Sequence, residues 1–448
     1  MNIAVINAKD LFKYILKFLG VAIIIWLLIS VIKTIKFSNQ KEEIERKIEE
    51  GKEVKMAATI SRGVRAPIVR EGDDIVKITV DSVMEACKED GFELNDRDVV
   101  CVTESVVARA AKNYVSVDDI ATDVKNKFGG ETVGVVFPIY SRNRFAICLR
   151  GIARGVNKVV LQMGYPSDEV GNHLISEDQL DDSGINPYSD VLSDKEFYNT
   201  FGEIKHEFTG VDYIAYYKQI IEEEGAQAQI IMANRPEAIL QYTKNVLCCE
   251  THTRDRNARR IKKAGGEVVL TLADIMNKPI GNSGFNSKYG LLGSNKATET
   301  TVKLFPENAQ VVAEAVSAEI SKITGKNIEA MVYGDGAFKD PVGKIWELAD
   351  PVVSPGYTAG LKGLPNELKL KYLADNDFAG LKGEELKNAV KDAIKKKESD
   401  LKGDMASQGT TPRQLTDLIG SLCDLTSGSG DKGTPIIVVQ NYFKNYSE

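Results

Sequence analysis

The chain has 448 residues, 43% hydrophobic and 27% charged, with 37 glycines and 13 prolines. Such a composition excludes disordered, collagen-like and coiled-coil classes for its bulk, and the length calls for two or three folded units. The 57 Lys and Arg against 64 Asp and Glu leave a formal net charge of −7, without the broad positive field of a nucleic-acid binder, so nucleic acid is not an expected partner.

From Phe18 to Ile32 the sequence reads FLGVAIIIWLLISVI, uncharged and flanked by Lys13, Lys17, Lys33 and Lys36. Snorkelling lysines can supply the length this stretch lacks for a hydrocarbon layer, and no small-x-small cleavage site follows. The expectation is an uncleaved membrane anchor over 1–38 and a single-pass membrane protein. Its body is expected on the cytoplasmic side, because the six cysteines (Cys87, Cys101, Cys148, Cys248, Cys249, Cys423) form no C-x-x-C pair and read as reduced, buried thiols. NQKEEIERKIEEGKEVK, at 39–55, repeats opposite charges at helical spacings, which predicts a solvated stalk over 39–58.

In the middle of the chain the periodicity changes. A β-branched run at Thr132–Pro138 precedes an amphipathic stretch, Arg142–Val156, and a second apolar run, Lys158–Met163. The pattern recurs as Gln229–Ala233, helical Pro236–Thr243, Val246–Cys249, a basic helix at Asp255–Ala264 and Glu267–Leu270. Alternating strands and helices predict a parallel sheet, here a layer over 128–280 interrupted by a polar link at Ile175–Asn199.

Four segments outside this layer carry turn chemistry. APIVREGDD begins at Ala66, and DVVCVTESVVAR (98–109) is a strand that ends in the polar residues Thr103, Glu104 and Ser105. Strand ends of this kind are where α/β sheets place ligands. GNSGFNSKYGLLGSNKATE (281–299) alternates glycines with small polar side chains, which suits either a close approach to a ligand or a surface loop. AMVYGDGAFKDP (330–341) sets Asp335 between two glycines after a strand, with Lys339 beyond, a position suited to a hard cation and to phosphate; an ordinary Asp-Gly turn is the plainer reading. DLTSGSGDKGTP (424–435) precedes the strand Ile436–Gln440 and offers backbone N–H groups, hydroxyls and Lys432 as an anion nest. No Walker loop, dinucleotide fingerprint, H-E-x-x-H or nucleophile elbow is present, and His173, His206 and His252 read as structural.

Taken in order, APIVREGDD, NDRDVVCVTESVVARA, YGLLGSNKATETTVKLFPENA, TGKNIEAMVYGDGAF and SLCDLTSGSGDKGTPIIVV resemble the coenzyme F-420:L-glutamate ligase family, as in a bacterial, membrane-anchored branch. The resemblance covers about half the chain, on both flanks of the middle layer. It implies an α+β ligase-like body in two parts, 59–127 and 281–448, separated by the α/β insertion at 128–280. It also implies a homodimer, GTP or ATP as nucleotide, Mg²⁺ or Mn²⁺ as cation, and L-glutamate or another amino acid joined to a small acceptor with a free carboxylate.

Residue by residue, Ala66, Pro67, Ile68 and Val69 match the family's first nucleotide-contacting segment, and Glu104, Ser105 and Arg109 its second. Asn295 matches a nucleotide-contacting asparagine, with Ser294 beside it. Asp335 matches a metal-binding aspartate, with Gly336 in the place of a threonine ligand. Ser427, Gly428, Ser429, Gly430, Asp431, Lys432 and Gly433 match the last nucleotide loop. Arg109, Lys339 and Lys432 are assigned phosphate charge, and Asp335, Lys339 and Arg109 the catalytic roles. Two departures stand out: Leu292 occupies the position of a metal-binding aspartate, and Ser429 that of a glutamate. Loss of two anionic oxygens weakens a site for hard cations. The chain is therefore expected to be an amide-forming ligase that works through an acyl phosphate, with a catalytically reduced nucleotide- or metabolite-binding protein on the same scaffold as the alternative. A third expectation keeps the chemistry and changes the acceptor to a folate-like or envelope compound.

Overall fold

A computed structural model describes residues 58–207, 209–334, 337–339, 346–348, 354–401, 403–407, 413–427 and 431–448. From Thr59 to Glu448 the chain clusters as one unit. Along it run β1 (Ile60–Val64), α1 (Ile75–Glu89), β2 (Val99–Thr103), α2 (Glu104–Ala110), β3 (Tyr114–Ser116), α3 (Val117–Phe128), β4 (Thr132–Val136), α4 (Phe145–Arg154) and β5 (Lys158–Met163). There follow α5 (Glu177–Ser183), β6 (Leu192–Ser193), α6 (Asp194–Phe201), α7 (Tyr213–Glu223), β7 (Gln227–Met232), β8 (Asn245–Cys248), α8 (Arg254–Lys263) and β9 (Val268–Thr271). The chain continues with β10 (Asn295–Lys296), β11 (Thr301–Lys303), α9 (Ala309–Thr324), β12 (Glu329–Tyr333), β13 (Ala337–Lys339), β14 (Trp346–Leu348) and β15 (Gly356–Tyr357). It closes with α10 (Leu370–Asp375), α11 (Gly383–Lys396), α12 (Leu415–Ser427) and β16 (Ile436–Gln440).

The architecture is mixed α/β with several sheets, which corrects the expected class of an α+β body carrying a transmembrane helix. Among the described residues no helix is long and apolar enough to cross a membrane. The longest, α9, has 16 residues, about 24 Å at 1.5 Å per residue against a hydrocarbon core of about 30 Å. It buries only Ala309, Val312, Ala313, Val316 and Ile320 along one face. Single-pass membrane localisation is corrected on the same finding. The apolar stretch 18–32 and the stalk at 39–57 lie outside the described residues.

A five-stranded sheet runs in the order β1-β16-β2-β12-β15. Its central strands β2, β12 and β16 are almost wholly buried, as continuous apolar runs with a core on each face must be. One face packs on Val80 and Val83 of α1 and on Val312 and Val316 of α9, the other on Ile419 and Cys423 of α12. Helix α1 starts where the Asp74 carboxylate accepts from Lys77 N at 3.0 Å.

A six-stranded sheet, order β6-β7-β5-β4-β8-β9, is parallel throughout except at β6, which pairs antiparallel at the edge. The stretch read as a polar link, 175–199, contains α5 and most of α6. Each begins in a capping box, Ser176 with Gln179 and Ser193 with Glu196, so local hydrogen bonds build two short helices where apolar periodicity is weak. A three-stranded sheet, β10-β11-β3, completes the part of the fold that bears on function. All six cysteines are free thiols, and only Cys87 is not buried.

Candidate functional site

The register of the five-stranded sheet determines which loops meet. Val64 of β1 pairs with Ile436 of the antiparallel β16, Ile436 pairs with Val102 of β2, and Thr103 pairs with Tyr333 of the parallel β12. The carboxyl ends of β1, β2 and β12 and the amino end of β16 therefore share one sheet edge. Four stretches leave from that edge: the chain after Val64, α2 from Glu104, the chain after Tyr333, and the approach to Ile436 from α12.

Hydrogen bonds lace these stretches together. Ala66 N donates to Gly433 O at 3.2 Å and Thr103 N to Pro435 O at 3.0 Å. The Thr434 hydroxyl donates to Ser427 O at 3.1 Å. Tyr333 is fully buried beneath, and burial pushes its phenol well above the ordinary value, partly offset by the Ser427 hydroxyl. Pro67 and Ile68 are exposed, Ile68 to 81%, whereas Val69 turns into the core.

A second arrangement crosses the three-stranded sheet. Asn295 pairs with Lys303 and Lys303 with Tyr114, so the three side chains form one row on one face. The Lys303 ammonium reaches the Glu104 carboxylate at 2.6 Å, with both side chains largely buried. Arg109, exposed on the last turn of α2, lies within electrostatic reach of Tyr114, whose phenol is raised chiefly by burial and held back by that guanidinium. Ser105 is exposed on the first turn of α2.

Glu104 and Arg109 of one segment and Asn295 of a distant one are thus linked through Lys303 and Tyr114. Ala66, Ser427 and Gly433 join them through the strand ends. Ser294 turns inward, 3% exposed, its hydroxyl 3.4 Å from the Cys148 thiol. Asp431 and Lys432 are exposed. The backbone of Lys339 ends β13, which pairs with β14, and β13 lies against α12. Asp335, Gly336, Gly428, Ser429 and Gly430 lie outside the described residues.

The glycine-rich segment at 281–299 packs against its own chain. A Cβ at Gly290 would lie 2.3 Å from Ile275 O, and one at Gly293, where φ is +73°, would lie 2.1 Å from the Phe305 ring. Leu292 between them is buried in the core that includes Ile275, Leu291 and Leu304. At this position the chain offers packing in place of an anionic oxygen. Among the described residues no group of three or more His, Cys, Asp or Glu side chains is arranged to hold a metal ion, so those residues alone do not compose a cation site. Arg109 and Lys432 are exposed and Asn295 is half-buried.

Lys303 and Tyr114 are residues that sequence reasoning passed over. In TTVKLF the alternation puts Val302 and Leu304 in the core and Lys303 on the opposite face, a pattern indistinguishable from a solvated lysine until Glu104 is seen across from it.

Residues 63–441 match the family model described as F420-0:Gamma-glutamyl ligase. No curated protein matches the chain.

Proposed function

We propose an amide-forming reaction at this sheet edge: the chain belongs to the F420-0:gamma-glutamyl ligase family, whose model spans most of its length, and membership implies substrates such as F420-0 and glutamate. The finer reading is a nucleotide-dependent ligase. A carboxylate oxygen is a poor leaving group, so the acceptor carboxylate attacks the γ-phosphorus of GTP or ATP, giving an acyl phosphate and the nucleoside diphosphate. The glutamate amine then attacks the acyl carbon, the amide forms with loss of the amine proton, and inorganic phosphate leaves.

Arg109 and Lys432 supply charge to the phosphates. Asn295 hydrogen-bonds nucleotide or substrate. Lys303 holds Glu104 and the Asn295 strand in one arrangement. Asp335, the residue the family resemblance offers for a cation, would hold Mg²⁺ or Mn²⁺, which would offset the charge of the triphosphate. The observation that supports this reading is the joining of Glu104, Arg109 and Asn295 through Lys303 and Tyr114.

The test is direct. Purified protein with GTP or ATP, Mg²⁺ or Mn²⁺, L-glutamate and F420-0 is expected to release nucleoside diphosphate and to increase the acceptor mass by one glutamate. A screen of other carboxylate acceptors extends the assay. The burial of Leu292 favours a second reading, a nucleotide- or metabolite-binding scaffold with reduced catalysis. Nucleotide binding without diphosphate release or glutamate addition would select that reading over the ligase.

A further inference from the structure

The parallel strands of the six-stranded sheet lie in the order β7-β5-β4-β8-β9. The chain thus winds outward from β4 through β5 and β7, then returns to the other side of β4 for β8 and β9. Ligands of doubly wound sheets bind outside the carboxyl ends of the strands where the winding reverses. A cavity of about 340 Å³ lies there, lined by Phe137 and Pro138 after β4, Glu169 after β5, Asn234 after β7, Glu250 after β8, and Arg256 of α8.

Two independent features point to an occupant. Thr253, the N-cap of α8, makes no side-chain capping hydrogen bond, so the first turn of a ten-residue helix meets the cavity uncapped by that residue, while the Glu169 carboxylate takes the two N–H groups just before it. Glu250, 0% exposed, accepts from Asn257 Nδ2 at 2.8 Å through one oxygen, while its Oε2 has no hydrogen-bond partner among the described residues. A buried acceptor left in that state is costly unless a ligand satisfies it. Neighbouring polar groups are already engaged. Glu169 accepts from the Thr251 and His252 N–H groups, Arg260 forks onto Glu237, and Asn234 exchanges hydrogen bonds with Tyr165.

We propose that this cavity binds a mononucleotide, its phosphate at the amino terminus of α8 with Arg256 and a ribose hydroxyl donating to Glu250 Oε2. The volume is at the lower end of the ~300–1,000 Å³ typical of organic ligands and exceeds the need of a lone phosphate. Phe137 and Pro138 give a flat apolar wall for a base. The site is separate from the ligase edge and does not depend on the reading given to it.

Adenosine 5′-monophosphate titrated into the purified full chain by calorimetry is the test, with adenosine, GMP, CMP and UMP as companions. Saturable binding of at least one mononucleotide is expected, weakened about tenfold or more by Arg256→Ala, by Glu250→Gln and by removal of the phosphate, and unchanged by Lys432→Ala at the other site. Arg256 is exposed, so its variant keeps the fold. No saturable binding by any of the four mononucleotides overturns the proposal. So does binding that Arg256→Ala and Glu250→Gln leave intact, or that Lys432→Ala abolishes.

Discussion

Lys303 and Glu104, 199 positions apart, form an ion pair at 2.6 Å with side chains 12% and 10% exposed. The pair ties the hairpin that carries Asn295 to the strand end that opens α2. Removing one member of a buried pair strands the other: Lys303→Met is expected to cost about 3 kcal/mol in urea unfolding, and the Glu104→Leu/Lys303→Met double variant to recover much of that loss. Additive losses in the double variant would refute the pairing.

The Arg109→Ala and Lys432→Ala variants change exposed side chains. Each is expected to raise the nucleotide KM about tenfold, with little change in thermal stability and with a salt dependence weaker than that of the wild type. Unaltered steady-state kinetics in both would remove them from the phosphate site.

Leu292→Asp restores the residue type that the family resemblance implies at this position. Because Leu292 is buried among apolar neighbours, the substitution is expected to destabilise the protein by about 3 kcal/mol or more and to confer no additional Mn²⁺ binding. A stable variant that gains a cation by titration would show that this segment repacks around a metal.

Gly293→Ala forces a Cβ to 2.1 Å from the Phe305 ring at a φ of +73°. A loss of about 2 kcal/mol or more in unfolding free energy is expected. Gly281→Ala, at φ +58° with open space around it, should cost only the backbone term of about 1 kcal/mol. Equal losses at the two sites would contradict the packing role.

Burial, chiefly, and the nearby Glu169 carboxylate push the Glu250 carboxyl up to about 7. An acid raised in the folded state leaves stability intact below its unfolded value of about 4.5 and reduces it as pH climbs through the folded value. Above about pH 7 the penalty is full, about 3 kcal/mol. Glu250→Gln should therefore gain on the wild type between pH 5 and pH 8 when thermal unfolding is compared; a difference independent of pH would refute the assignment.

Local pattern carried much of the fold. The run Lys158–Met163 is β5 in full, the run at 132–138 contains β4, and the basic helix read at 255–264 is α8 within one residue at each end. These elements announce themselves because period and composition are properties of contiguous residues. The capping boxes at Ser176 and Ser193 were equally local, yet the polar composition around them masked α5 and α6.

By itself the sequence determined the alternation of strands and helices, the apolar strands β2, β12 and β16, and the ordered segments that mark the ligase family. Only the tertiary structure decided that β16 inserts between β1 and β2, which brings the last loop beside Ala66 and Thr103. It alone showed that Lys303 answers Glu104, that Leu292 and Gly293 are committed to the core, and that Glu250 Oε2 lacks a partner among the described residues. The physical reason is that strand order, cross-sheet pairing and burial arise between residues hundreds of positions apart, and no local periodicity encodes them.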